Sequence, residues 1–288
     1  MNDNQNPPQL ISFHGLPALQ LRCADGAQAV ITLHGGHLVS WIPAAGGERL
    51  YLSETSAFDG RQAIRGGVPV IFPQFGPTGP LPRHGFARTS AWKLEGIRQE
   101  KEFALATLTL DDDETTRQIW PHAFHLELSV GIGGDRLDME LEVENPGAHA
   151  FSFTSALHTY LRVAEVENIL LEGLNGTLYQ DQTKGNKLVR DTGVALTVEG
   201  EVDRIYQDAP PTLLLRDPGR PLGVHSEGFT DTVVWNPWED KCAALKDMPA
   251  RDFRHMLCIE AGCIATPILL EPGASWFGRQ TLMELRNS

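Results

Sequence analysis

Residues 124–145, FHLELSVGIGGDRLDMELEVEN, constrain this chain more than any other stretch. Leu126, Leu128, Val130 and Ile132 alternate with polar or small residues. So do Leu137, Met139, Leu141 and Val143. A repeat of two puts each apolar set on one face of an extended strand. Gly133, Gly134 and Asp135 at the centre supply a tight turn, so the two strands pair as a hairpin. A hairpin with one apolar face needs a second layer to cover it. The same signal recurs along the chain. AVITLHGGHLVSWI has two apolar segments hinged at Gly35-Gly36, and FALATLTL, FSFTSALHTYLRV, ILLEGL, TLLLRD, TVVWNPW, LCIEA and WFGRQTLMEL continue the series. Helical periodicity is scarce: ETTRQIWPH is broken by Pro121, and SETSAFDG is a short candidate with Ser53 or Thr55 as cap. No change of composition marks a linker and no fixed repeat is visible. The expectation is an all-β chain, a large antiparallel β-sandwich forming a single domain over residues 1–288, with about 1–9 as a polar tail. The longer connections at 60–90 and 179–210 are the places to look for function.

Charge is unevenly distributed. The chain carries a formal net charge of -13, yet residues 60–94 contain no Asp or Glu and hold Arg61, Arg65, Arg83, Arg88, Lys93 and His84. Arginines set among glycines and prolines form a pre-shaped anion site, because guanidinium is always charged and grips phosphate with paired donors. A small phosphorylated ligand follows from this reading; a basic surface loop is the plain alternative. The acidity of the rest argues against nucleic acid or an anionic membrane as partner.

Cys23, Cys242, Cys258 and Cys263 form no CxxC pair, and Cys258 and Cys263 lie in an apolar run as small core residues. Neither their spacing nor a neighbouring His fits a zinc site, so no metal is expected. The N-terminal MNDNQNPPQL lacks a basic segment followed by an apolar one, and no run of about 18 apolar residues occurs; a reduced, cytoplasmic protein is the expectation. Nucleotide loops, the GxSxG elbow and HExxH are all missing, so no cofactor is expected.

Two residues remain as acid–base candidates. His158, in TSALHTYLRV, shares a strand face with Ala156 and Tyr160; a hydrogen-bonded structural histidine is the alternative. Glu260, in MLCIEAGC, is the one charge in a long apolar run, either a general base in a cleft or a buried partner for an arginine. Asp203, in GEVDRIYQD, reads as a solvated loop residue. His34 and His37 flank the diglycine hinge, and a turn role is favoured over a metal pair.

Taken in order, RGGVPVIFPQFGP, LPRHGFAR, SALHTYLRV, DRIY, VVWNPW and CIEAG resemble the hexose-6-phosphate mutarotases, a branch of the aldose 1-epimerase (galactose mutarotase-like) superfamily. The resemblance runs from about residue 10 to 285. It implies a twisted β-supersandwich, catalysis by His158 and Glu260, phosphate binding by Arg65 and Arg88, and sugar contacts from His84 and Asp203. Position 83, often a polar amide in relatives, is Arg here, adding positive charge to the substrate site. The implied partner is a small hexose 6-phosphate, bound by a monomer without cofactor. An aldose 1-epimerase for free sugars and a non-catalytic carbohydrate-binding module are the rivals.

Overall fold

The computed structural model describes residues 9–285, so all but the last residue of the expected polar tail lies outside the described residues, and Gln9 itself opens a strand. The described strands form three antiparallel sheets. Gln9–Phe13, Leu16–Arg22, Gln28–Thr32 and His37–Ile42 make a four-stranded meander, with Gly35-Gly36 between its last two strands as expected. A nine-stranded sheet contains the defining hairpin, His125–Gly133 paired with Arg136–Glu144, flanked by Ala104–Asp111 and by Ser275–Glu284. An eight-stranded sheet runs in the order Lys187–Arg190, Leu178–Asp181, Val202–Gln207, Asp231–Asn236, Met256–Leu270, Phe151–Leu157, Val70–Ile71, with Tyr160–Arg162 also paired to Met256–Leu270.

Alternation explains the layering. Leu137, Met139, Leu141 and Val143 are all buried, while the residues between them are not. Full burial of such side chains is worth about 1.5–3 kcal/mol each. One apolar cluster joins all three sheets, from Leu19 and Trp41 through Leu157 and Ile259 to Leu137 and Leu282. Aromatic contacts stitch the layers, with Phe72 against Phe124 and Phe153 (5.4 Å each) and Phe153 against Trp276 (5.6 Å).

Two local expectations differ from the structure. The stretch 179–210 is not one long connection, because Leu178–Asp181, Lys187–Arg190, Ala195–Leu196 and Val202–Gln207 are strands. Ala195–Leu196 joins the nine-stranded sheet and the other three the end of the eight-stranded one; all are short, and interspersed polar residues hide any apolar alternation. The segment 53–60 forms no helix: the Ser53 hydroxyl donates to the Asp247 carbonyl (2.7 Å) rather than capping. ETTRQIWPH does form a short helix, Glu114–Ile119, held by a reciprocal capping box between Asp113 and Thr116 and ended just before Pro121. A helix that sequence periodicity does not announce, Trp238–Ala244, follows Pro237 directly and carries Glu239 and Asp240 in its first turn, where the helix dipole favours acids. Among the described residues no helix is long and apolar enough to cross a membrane.

Candidate active site

The eight-stranded sheet forms the floor of a cleft of about 210 Å³, and the 60–90 connection arches over it. Glu260, Val233, Trp235 and Asp203 rise from adjacent strands; Arg65, Phe75, Arg83, His84 and Arg88 come from the connection; Lys241 comes from the short helix. Every site residue expected from the sequence therefore lies at one cavity.

The connection is held in shape by its backbone and by buried polar side chains. Gly66 and Gly67 have φ of +104° and +59°, and a Cβ on them would stand 2.4 Å from the Tyr51 carbonyl oxygen and 2.3 Å from that of Leu38. The RGG segment is thus pressed onto the His37–Ile42 strand where no side chain fits. His37 Nε2 donates to the Gly66 carbonyl (2.7 Å) and His34 Nε2 to that of Gln62 (2.8 Å). These histidines serve the loop separately, in line with their turn role. Further on, Gln74 is buried: its Nε2 donates to the carbonyls of Gly76 and Leu81, and its Oε1 accepts from the Leu81 amide. One side chain so closes the 74–81 loop on itself.

His84 occupies the left-handed region (φ 66°), a conformation that costs a non-glycine residue about 1–3 kcal/mol. Its Nδ1 accepts from the Gly76 amide (3.3 Å), which leaves the proton on Nε2 as a donor. Burial, then Arg88, Arg83 and Arg65, push His84 down to about 3, so it is neutral near pH 7.

The arginines differ in their partners. Arg65 is gripped through Nε and Nη2 by Asp247 (3.1 and 3.0 Å) and donates from Nη1 to the Tyr160 hydroxyl (2.9 Å). The Tyr160 oxygen raises its pKa most; burial opposes this and Asp247 adds to the rise. Arg88 donates to the Arg83 carbonyl (2.9 Å), while its buried Nε has no partner. Burial foremost, with Arg65 and Arg83 nearby, brings Arg88 down to about 10. It is a desolvated cation without a carboxylate bound to it, the condition in which an added anion gains most.

His158 falls in the break between Phe151–Leu157 and Tyr160–Arg162, rather than inside a strand, and its amide donates to the Pro69 carbonyl (3.0 Å). Its ring stacks on Tyr160 (4.7 Å between centroids, 9° between planes) and meets His84 edge-on at 5.7 Å. His158 Nδ1 stands 3.3 Å from Glu260 Oε1, and Glu260 is 1% exposed. The partner of Glu260 is therefore a histidine, not an arginine. Burial raises Glu260 well above the carboxylate range, with Asp203 adding to it. Burial lowers His158 far below the usual imidazole range, helped by His84, Arg65 and Arg88. Both shifts oppose charge, so the pair is neutral as a unit, its two side chains close but not hydrogen-bonded.

Asp203 is in the Val202–Gln207 strand, not in a solvated loop. Gln182 Nε2 donates to its Oδ1 (3.0 Å), and Lys241 Nζ, bound to Glu201 at 2.6 Å, lies 3.7 Å from its Oδ2. Burial raises its pKa and Lys241 opposes the rise. Gln182, Lys241, Trp235 and Asp247 escaped sequence analysis, since each is an ordinary polar or core residue until the strands bring it to the cleft. Cys258 escaped too: with His158 and Glu260 it offers ligand atoms all within 4.8 Å of one another.

A β-sandwich of this architecture is the galactose mutarotase-like fold. A Salmonella typhimurium crystal structure described as a "putative mutarotase" superposes with a TM-score of 0.92 at 27% identity, covering 100% of this chain and 96% of that one. A Synechocystis sp. PCC 6803 protein shares the fold with a TM-score of 0.81 at 21% identity, each chain covered in full. The family described as Aldose 1-epimerase matches residues 17–282, and the chain belongs to that family of isomerases. A Cenchrus ciliaris relative is 36% identical over 284 residues, covering 95% of this chain and 86% of its own. One from Escherichia coli K12 is 32% identical over 257 residues, covering 87% and 85%. Both carry the name "Putative glucose-6-phosphate 1-epimerase".

Proposed function

We propose that this protein is a hexose-6-phosphate mutarotase that interconverts the α and β anomers of glucose 6-phosphate. The observation that carries the reading is the pairing, in one cleft, of a buried His158–Glu260 couple 3.3 Å apart with the carboxylate-free guanidinium of Arg88. A neutral sugar has no use for such a cation, whereas a phosphate restores the charge balance that burial denies it. Arg65 and Arg88 hold the phosphate; Asp247 orients Arg65 and Arg83 adds positive potential. His84 donates from Nε2, and Asp203 accepts, toward sugar hydroxyls.

Anomerisation requires a proton to leave the O1 hydroxyl and another to reach the ring oxygen O5. The pair's one proton first passes from Glu260 to His158; Glu260 then takes the O1 proton and His158 gives the one it received to O5. The C1–O5 bond breaks as the C1–O1 bond becomes a carbonyl, leaving the open aldehyde. Rotation about C1–C2 presents the other face, O5 attacks, and the protons return. The pair begins and ends with one proton, which the site's aversion to net charge favours. Each positioned acid or base contributes about 10²–10⁴-fold. Neither a metal nor an organic cofactor is required by these steps. The same reading places one sugar phosphate per chain in a single domain, and the four cysteines, all free, agree with a reducing cytoplasm.

The test is polarimetry, or a coupled dehydrogenase assay, on glucose 6-phosphate and glucose in parallel. A kcat/KM at least tenfold higher for the phosphosugar is expected. Equal values assign the protein to free sugars, and no acceleration of either makes it a binding module.

A further inference from the structure

Beneath the acid–base pair lies a group that anomerisation does not use. Cys258 is two residues before Glu260 on the Met256–Leu270 strand, so both side chains leave the same sheet face. Its register partners are Tyr160 on one side and Trp235 on the other, the aromatics that flank His158. The thiol is free and wholly buried. His158 Nδ1 and Glu260 Oε2 are buried and have no hydrogen-bond partner. Two residues that line the cleft, each with an unsatisfied buried polar atom, thus stand beside a thiol buried behind them.

We infer that His158, Cys258 and Glu260 form a site for a soft divalent cation, zinc being the prime example, that competes with the sugar. One imidazole nitrogen, one sulfur and one carboxylate oxygen suit zinc, which takes four ligands at about 2.0–2.3 Å. Ligand atoms in such a tetrahedron stand about 3.3–3.8 Å apart. The His158–Glu260 separation of 3.3 Å is already in that range, and the widest separation allowed within the triad, 4.8 Å, closes by side-chain rotation of roughly 1 Å. A thiolate and a carboxylate neutralise the dication, so the ion enters a buried site without leaving net charge there. The fourth position faces the cleft, where water completes the shell. The ion occupies both members of the pair and so excludes the sugar. This is an inhibitory site, separate from the chemistry proposed above, and its test reads metal binding rather than turnover.

Zinc chloride titrated calorimetrically into the whole protein, without sugar, binds one ion per chain at this site. Cys258→Ser weakens that binding about 100-fold, at or beyond the effect of losing a supporting contact around a metal. Cobalt chloride supplies a second readout: sulfur coordination produces a thiolate-to-metal charge-transfer band in the near ultraviolet, present in the wild type and lost in Cys258→Ser. If the variant fails to fold by near-ultraviolet dichroism, the wild-type band decides alone. Zinc binding of equal strength in the two folded proteins, as at the exposed Asp111–His125 pair, overturns the inference, as does a wild-type cobalt complex without the band.

Discussion

The floor of the cleft and the outer face of the nine-stranded sheet use the same residue types to opposite ends. On the outer face, Arg279 bridges Glu140 and Glu227 on the two neighbouring strands, and Arg136 pairs with Asp138 along its own strand, all reached by water. Each of these charges has its opposite beside it. In the cleft, Arg88 lacks a carboxylate, Glu260 meets only an imidazole, and His84 and His158 are held neutral by burial. Ion pairs between exposed groups are worth about 0–1 kcal/mol, because water already solvates both partners. Groups stripped of water and left without a full partner are costly to the fold and valuable to a ligand. The density of charge is thus a poor guide to function, and the deficit of partners is a good one.

That contrast breaks most visibly at the acid–base pair. Glu260→Gln and His158→Asn are each expected to lower kcat by about 10²–10⁴-fold while the dichroism spectrum stays native. The double variant should lose less than the product of the two, since the residues act as a unit. Near-wild-type kcat in either single variant would remove the pair from the chemistry. Next in size, Arg88→Ala should reduce kcat/KM for glucose 6-phosphate by about 10–100-fold and leave glucose turnover nearly unchanged. Arg65→Ala should act in the same sense, with Lys rescuing part of the loss at either position. Equal damage to both substrates would show that these arginines serve the ring or the fold.

A third prediction concerns the cost of burial. His37 is wholly buried and burial pushes it down to about 3, from an ordinary 6.5. Between those pH values the unfolded chain binds a proton that the folded protein does not, so stability rises with pH through this window and is level above it. His37→Gln keeps a donor for the Gly66 carbonyl and removes the titration. Its stability curve from pH 6 to 4 should be shallower than the wild type's by about 1.4 kcal/mol per pH unit. Parallel urea-denaturation midpoints would place the proton elsewhere. The smallest effect belongs to the outer face: Arg279→Ala should change stability by less than about 1 kcal/mol and kcat by nothing measurable. A larger loss would mean that the surface network carries weight the cleft was credited with.

Much of this was legible in the chain. The hairpin at 124–145 could hardly be misread, because its apolar residues alternate over nine-residue strands with a glycine turn between them. Arg65, His84 and Arg88 stood out through an acid-free window and Glu260 as a lone charge in an apolar strand, whereas His158 by itself read as readily as a structural histidine. Asp203 misled because its neighbours are polar. In VDRIYQ the buried residues Val202, Ile205 and Tyr206 do not alternate, because both faces of this strand are partly covered, and the mark of a strand is lost. Lys241, Gln182 and Asp247 had no local signal at all; only strand pairing and the turn after Asn236 bring them to the cavity. The zinc-like grouping was invisible for a related reason. Spacing rules see ligands close in sequence, whereas His158 and Cys258 meet across a strand pair.

The loop closed by Gln74 bears on the traffic of molecules rather than on their conversion. Many enzymes fold a flap over a bound reactant and thereby prefer one form of it. Here the wall formed by Phe75, Gly76 and Pro77 is buttoned from within before anything binds. Two anomers differ at a single carbon, and a wall tied by three hydrogen bonds to one side chain offers both the same doorway. An isomer made inside meets no latch on its way out, so the forward and reverse journeys share one unguarded passage, as befits a catalyst that only hastens an equilibrium.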